Sequence, residues 1–304
     1  MKGKVLRSTG SFYEVLAEDG STYNCRVRGK IRLEGIKETN PVAVGDNVLL
    51  DLENDVGVII EILPRVNHML RQSVKKTGHS HVLAANIDQA MVIATVAKPR
   101  TSLGFIDRFM VSAESFRIPQ VIVFNKRDLL STEEAQSVEN IIELYSGIGA
   151  SCFSISAVKD DVSNLRELLQ NKTTLITGHS GVGKSTLLNR ISPTIDQPVG
   201  DISAFSEKGT HTTTFAEMFR LDDKTFVIDT PGVKEWGLVD MSQQELSDYF
   251  PEMREIRLNC KFGSKCIHVN EPKCAVQDAV KNGTVAESRY NSYLSMVLGE
   301  DNRK

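Results

Sequence analysis

Nothing in this chain of 304 residues reads as a membrane or export signal. No stretch approaches the roughly 20 consecutive apolar residues of a bilayer span, and the opening run Met-Lys-Gly-Lys-Val-Leu-Arg-Ser-Thr-Gly lacks the apolar core of a signal peptide. A cytoplasmic protein with no membrane partner is the resulting expectation. A strong charge imbalance is also missing. Lys and Arg number 36 against 39 Asp and Glu, a net charge of −3, so any nucleic-acid-binding patch must be local. Cysteine is scarce, and its count of five is odd. Three of the five sit close together with a histidine, which suits a metal better than a disulfide framework. What remains, 40% hydrophobic and 25% charged residues, is the composition of a globular protein, long enough for two or three domains.

Residues 1–65 read as short strands at 4–7, 12–17, 22–28, 47–51 and 57–62, separated by turns such as Glu18-Asp-Gly20 and Val44-Gly-Asp46. Five strands in that length fit a small closed barrel, an OB-fold first and an SH3-like barrel second. Arg26, Arg28, Lys30 and Arg32 alternate with other residues, so a continuous strand would put all four on one side. Such a run suits either a solvated face or an RNA-binding surface. Aromatic stacking platforms are sparse there, with Tyr13 and Tyr23 the nearby candidates, which favours backbone over base recognition.

Residues 66–86 read as a connector rich in Arg, Lys and His, either a plain linker or an extension of the basic surface. From 87 the pattern alternates. Strands are expected at 88–96, 121–124, 151–155, 214–221 and 225–228, with helices at 133–145 and 164–169. Ile106, Phe109, Met110 and Ala113 share one face of a further helix. This predicts an α/β domain over 87–240, its mostly parallel sheet covered on both faces.

The apolar strand from Thr173 runs into Gly178-His179-Ser180-Gly181-Val182-Gly183-Lys184-Ser185-Thr186 and then a helix. That is the setting of a phosphate-binding loop: glycines let backbone N–H groups approach phosphate oxygens, Lys184 supplies charge to the β and γ phosphates, and Ser185 offers a hydroxyl to Mg²⁺. Asn125-Lys126-Arg127-Asp128 follows an apolar strand, at the carboxyl end where open α/β sheets bind ligands. Asp128 can accept from the N1–H and 2-amino group of guanine, which adenine does not offer. Alone the motif is a polar turn; beside a phosphate loop it reads as guanine recognition. Ser156-Ala157 closes another strand and is similar to the loop whose backbone contacts the guanine oxygen. Asp229-Thr-Pro-Gly232 places a carboxylate for the Mg²⁺ shell and an N–H for the γ-phosphate. Between the two lies Lys208-Gly-Thr-His211-Thr-Thr213-Thr, where a first switch belongs and Thr213 is the expected Mg²⁺ ligand. Val233 stands where Ras-like enzymes carry the glutamine that orients water, so His211 is the expected substitute, with Lys184 the other catalytic group.

The guanine motifs precede the phosphate loop, the reverse of the Ras-type order. A circular permutation explains this, since joining adjacent termini and opening a surface loop leaves sheet pairing intact. Residues 241–304 then hold Cys260, Cys266, His268 and Cys274 between expected helices at 243–249 and 286–298. Three thiols and an imidazole make a closed tetrahedral set for one structural zinc; the alternative is buried cysteines, which better describes Cys25 and Cys152.

The barrel, the permuted motif order and the Cys-x5-Cys-x-His-x5-Cys module together resemble the bacterial ribosome small-subunit-dependent GTPase A family, RsgA, over nearly the whole chain. The resemblance implies a late-stage assembly factor that binds the 30S subunit and its rRNA and hydrolyses GTP when stimulated by it. A monomer is expected. The competing classes are a P-loop kinase, which would need a second substrate pocket and leaves the flanking modules unexplained, and an RNA-binding scaffold with a structural nucleotide site.

Overall fold

A computed structural model of the chain describes residues 1–10, 12–28, 41–53, 56–72, 80–193, 195, 216–230 and 241–299. The amino-terminal strands are β1 Lys2–Ser8, β2 Tyr13–Ala17, β3 Thr22–Val27, β4 Asn47–Glu53 and β5 Val56–Ile62. β1 pairs antiparallel with both β2 and β4, while β3 runs parallel to β5, so the five strands close into a barrel of OB topology. Alternation explains its interior: Val5, Val15, Cys25, Val48, Leu50 and Ile59 point inward and are buried. Gly57 lies so close to β3 that a Cβ there would sit 2.3 Å from the Cys25 sulfur. Cys25 is therefore a packing residue, and burial pushes its thiol up to about 11.

The stretch expected to be a connector folds as a two-stranded sheet, β6 His68–Gln72 against β7 Ser80–Ala85. Sequence periodicity missed it because each strand is short, with its apolar residues adjacent rather than alternating: Met69-Leu70 in one and Val82 to Ala85 in the other. Asn67 exchanges two hydrogen bonds with the Ile87 backbone (2.7 and 2.8 Å), and Asn86, at φ 55°, donates to the Gly45 carbonyl at 3.0 Å. Arg65 does not extend a basic surface. Its guanidinium turns inward, donating to both Asp46 oxygens at 2.7 and 2.8 Å and to the Pro41 carbonyl at 3.0 Å.

The central sheet runs β10 Ser151–Ser154, β9 Gln120–Phe124, β8 Gln89–Ala94, β11 Thr173–Gly178, β13 Phe226–Asp229 and β12 Glu217–Arg220. All neighbours are parallel except β12, which is antiparallel to β13 and to β1 of the barrel. β8 and β11 are buried along their whole length, as strands covered on both faces must be. One face packs helices α1 Leu103–Glu114 and α2 Thr132–Gly147; the other packs α3 Ser163–Leu169 and α4 Lys184–Ile191. Ile106, Phe109, Met110 and Ala113 all lie in the first of these cores.

The carboxyl-terminal residues form short helices at Gln243–Leu246, Pro251–Arg254 and Ala275–Lys281, then α8 Glu287–Leu298. Their core joins Leu246, Phe250, Met253, Val276, Tyr293 and Met296 to Val111 of α1, so this module is fused to the central domain. Among the described residues no helix is long and apolar enough to cross a membrane.

Candidate nucleotide site and metal centre

The phosphate loop leaves β11 at Gly178, where a Cβ would lie 2.6 Å from the Ile93 carbonyl oxygen, so only glycine passes the end of β8. Gly181 and Gly183 have φ of 82° and 90°, and α4 begins at Lys184. Ser180 and Gly181 form the tip of the turn, and Ser185 and Thr186 stand in the first turn of α4, where N–H groups face a bound anion. The Lys184 ammonium donates to the Asp229 carboxylate and, at 2.9 Å, to the Thr230 carbonyl. The ends of β11 and β13 thus bring Lys184, Ser185 and Asp229 together. Thr230 holds that junction, its hydroxyl donating to the Ile176 carbonyl at 3.0 Å. His179 packs its ring on Phe105 of α1 at 3.9 Å between centroids. Burial holds its pKa below the ordinary 6.5, so the imidazole is neutral near pH 7.

Asn125 ends β9 and is buried, and its amide spans two loops: Nδ2 donates to the Val182 carbonyl at 2.8 Å and Oδ1 accepts from the Ala157 N–H at 2.8 Å. Gly183 is the counterpart of this contact, since a Cβ there would lie 2.4 Å from Asn125 Nδ2. Lys126, at φ 67°, extends across the sheet end, its Nζ donating to the Lys98 carbonyl at 2.8 Å. Thr95, Ala97, Lys98, Lys126 and Leu129 line a small recess beside Asn125. Asp128 stands in the short 3-10 turn Arg127–Leu129 that follows Lys126. The Ser156 hydroxyl first, and then Lys159 at 3.4 Å, hold its carboxyl below the usual range, so it is an anion at neutral pH. An ionised carboxylate is an acceptor only.

Two arginines went unread in the sequence. Arg190, in the last turn of α4, donates to the carbonyls of Ala157, Val158 and Asp160 at 3.0, 2.8 and 2.8 Å. Arg127, the variable position of the Asn-Lys-x-Asp motif, donates to Asp160 at 2.9 Å, and Asp160 accepts the Ser156 N–H at 2.7 Å. No motif requires arginine at either position: Arg127 fills the variable place inside Asn-Lys-x-Asp, and Arg190 follows the phosphate loop on α4.

His211, Thr213 and Gly232 lie outside the described residues, as do Lys30 and Arg32. Arg26 and Arg28 stand apart from the nucleotide cluster, on the barrel. Both are exposed, and both donate to the single carboxylate of Glu53, at 3.0 and 3.2 Å.

The metal centre is compact. Cys260, Cys266, His268 and Cys274 are all buried, with ligand atoms within 4.8 Å of one another. Cys260 and Cys266 each lie 3.8 Å from Cys274, and His268 Nδ1 lies 3.5 and 3.3 Å from Cys260 and Cys274. A tetrahedron with Zn–S bonds of about 2.3 Å has S···S edges of about 3.8 Å, so the donor set fits that ion. The loop is built to hold this shape. Glu271 accepts N–H bonds from Ile267, Val269 and Asn270 at 2.7, 2.9 and 3.1 Å, while Tyr290 and Tyr293 donate to the His268 and Ile267 carbonyls at 2.6 and 2.8 Å. Burial pushes the Cys266 thiol up to about 12, a cost that a dication reverses by binding thiolate.

Comparison with known proteins matches the same chemistry. The family model described as RsgA GTPase matches residues 62–239, and the model of the RsgA N-terminal domain matches 2–60. A protein of Christiangramia forsetii named small ribosomal subunit biogenesis GTPase RsgA is 48% identical, covering 99% of this chain and 97% of that protein. One of the same name from Bacteroides fragilis is 46% identical, covering 100% and 98%. Among solved structures, YjeQ from Thermotoga maritima superposes with a TM-score of 0.77 at 34% identity, covering 100% and 99% of the two chains. YloQ, described as a circularly permuted GTPase, gives 0.73 at 31%, covering 100% and 96%.

Proposed function

The chain belongs to the RsgA GTPase family, and on that premise we infer that it hydrolyses GTP to GDP and phosphate as a nucleotide-switched assembly factor of the small ribosomal subunit. The observation that carries this is Asn125, whose one amide ties the phosphate loop to the Ser156-Ala157 loop and so joins two nucleotide-binding segments far apart in sequence. Domain limits of 1–65, 66–86, 87–240 and 241–304 go with the reading.

In the proposed complex, Gly178 to Thr186 surround the phosphates with backbone N–H groups, and Asp128 accepts from the guanine edge beside Asn125, Lys126, Ser156 and Ala157. Lys184 exchanges its bond to Asp229 for the β and γ phosphates, a short movement because both partners lie at the same sheet end. Mg²⁺, when bound, neutralises charge that develops on the leaving phosphate. Ser185, Thr213 and Asp229 are the residues that would hold it. Gly232 senses the γ-phosphate through its N–H. His211 positions the attacking water, the role that Val233 cannot fill. Since Lys184 and the phosphate loop act on charge rather than on the water, turnover without the ribosome is slow, and the 30S subunit raises it by ordering the switch segment.

Cys260, Cys266, His268 and Cys274 hold one structural zinc. Arg26, Arg28, Lys30 and Arg32 contact rRNA phosphates; because Glu53 offsets part of the charge of Arg26 and Arg28, this contact is modest and salt-dependent. The protein acts as a monomer in the cytoplasm. The test is turnover of GTP and ATP with and without purified small subunits. GTP-selective turnover that rises on adding subunits is expected; unstimulated turnover, or equal use of ATP, refutes the reading. Asp128→Asn shifts preference toward xanthine nucleotides, because an acceptor becomes a partial donor.

A further inference from the structure

The loop at 156–160 is held by more than its own turns. Arg190 reaches it from the end of α4, the helix whose other end carries Lys184 and Ser185. Its guanidinium donates to three backbone carbonyls, of Ala157, Val158 and Asp160. A planar fork of five donors fits three acceptors at fixed angles, whereas a lysine ammonium serves them one at a time. The far side of the loop is held as well. Asp160, the residue whose carbonyl Arg190 takes, turns its carboxylate to the Ser156 N–H at 2.7 Å and to Arg127 at 2.9 Å. Lys159, on the same loop, brings its ammonium to 3.4 Å from the Asp128 carboxylate, and the Ser156 hydroxyl beside it lowers the pKa of that carboxyl. A set of contacts therefore runs from the last turn of the phosphate-loop helix, through Arg190 and the loop with its Asp160 and Lys159, to the Asp128 carboxylate.

We infer that Arg190 is a positioning residue for guanine selectivity. It fixes the Ser156–Asp160 loop, and through Lys159 on that loop the Asp128 carboxylate, against the helix that grips the phosphates, so that base and phosphates are read at a set distance from each other. Arg127 supports the same loop from the other side. The inference rests on the reading of Asp128 as the guanine acceptor. Selectivity is where the effect must appear: a carboxylate held in place rewards a ligand that offers both N1–H and the 2-amino group, and one left to wander rewards it less. Loss of a plain structural staple would instead weaken every nucleotide alike.

Calorimetric titration of the full-length protein with GDP, IDP and ADP tests this, because IDP lacks only the 2-amino group of GDP. The parent protein is expected to bind GDP well ahead of IDP, and IDP ahead of ADP. In Arg190→Ala, GDP affinity falls about tenfold, the loss of about 1.4 kcal/mol of contact, while IDP falls less, so the GDP to IDP ratio narrows about threefold or more. Arg190→Lys, which keeps the charge but not the fork, falls in between. Arg127→Ala narrows the ratio in the same direction by a smaller factor; its side chain is 55% exposed, so this variant folds even if Arg190→Ala does not. An unchanged ratio in both alanine variants, or equal losses for GDP and IDP, overturns the positioning role while leaving the GTPase reading intact. Equal binding of GDP and ADP by the parent protein removes the base reading, and this inference with it.

Discussion

Replacing Arg289 by methionine should detach the carboxyl-terminal module from the central domain without touching the nucleotide or metal residues. Arg289 is 1% exposed, and its guanidinium donates to Asp107 of α1 at 2.6 Å and to both Glu252 oxygens at 2.7 and 3.2 Å. Burial opposes its charge, yet the carboxylates of Asp107 and Glu252 outweigh that cost and raise its pKa above the ordinary value. Its face also lies 4.6 Å from the Phe250 ring, a cation–π contact. Methionine keeps most of the apolar volume but leaves two buried carboxylates without a cation. Asp107 retains only the Tyr145 hydroxyl at 2.6 Å on Oδ1, and its Oδ2 has no partner even in the parent protein.

Removing one partner of a buried ion cluster costs about 3–5 kcal/mol, chiefly because the remaining charge stays buried and unpaired. The loss should be local. Urea unfolding followed by proteolysis within residues 241–299 should report it, with the central domain surviving to higher urea in the variant. Adding Asp107→Asn to Arg289→Met removes one orphaned charge and should recover at least about 1 kcal/mol. A single-variant loss below about 1 kcal/mol, or a double variant no more stable than the single one, would show that the cluster is wet and cheap rather than buried and paired.

Asn125→Ala breaks two buried hydrogen bonds and leaves the Val182 carbonyl and Ala157 N–H unpaired. It should cost about 2–3 kcal/mol in urea unfolding and weaken GDP by more than tenfold; full GDP affinity would remove its bridging role. Chelation should expose 241–299 to protease before the central domain, and metal analysis should find one zinc per chain in protein purified without chelator. Glu271 supplies a pH test: burial acts to raise its pKa, but the N–H bonds from Ile267, Val269 and Asn270 prevail and set it below the ordinary 4.5. A depressed carboxyl stabilises fully above its unfolded value and loses that contribution as pH falls through the folded one. The stability gap between parent and Glu271→Gln should therefore be constant above about pH 6 and shrink toward pH 3, and a gap that grows on acidification contradicts the assignment.

The parts legible in the sequence were those in which one physical requirement dictates residue type at fixed spacing. Short strand runs between turn residues marked all five barrel strands, which carry Val15, Val48 and Ile59, and glycine spacing located the loop where Gly178 and Gly183 admit no side chain. Contacts that depend on three dimensions were not legible. Arg190 and Arg127 hold a loop through its carbonyls and Asp160, and carbonyls have no sequence identity to match. The folding of the connector was hidden because Asn67 and Asn86 pair with backbone rather than with each other. Arg289 left a signal that went unread. On the expected helix it shares a face with Tyr293 and Met296, at i+4 and i+7, and a cation on an apolar stripe must find a buried partner.

That partner, Asp107, belongs to the helix with the most neighbours to satisfy. α1 buries Ile106, Phe109, Met110 and Ala113 against the central core and lends Val111 to the carboxyl-terminal one. Its Phe105 lies on His179 of the phosphate loop, Arg108 donates to Ser295 at 3.1 Å, and Glu114 pairs with Arg254. The central domain and the metal-bearing module are thus joined by a shared apolar core and a buried ion cluster. The barrel is joined by both kinds of contact: among the described residues β1 meets β12 at the register pair Arg7 and Glu217, whose side chains are 47% and 24% exposed, while Val44, Leu6 and Leu16 pack on the central core and the Gly45 carbonyl accepts from Asn86. Exposed ion pairs hold about 0–1 kcal/mol against about 3–5 for a buried one. Of the two ion-paired contacts, the exposed one at the barrel is therefore the cheaper to break, and the buried one at Arg289 ties the metal-bearing module to the helix that packs on the phosphate loop.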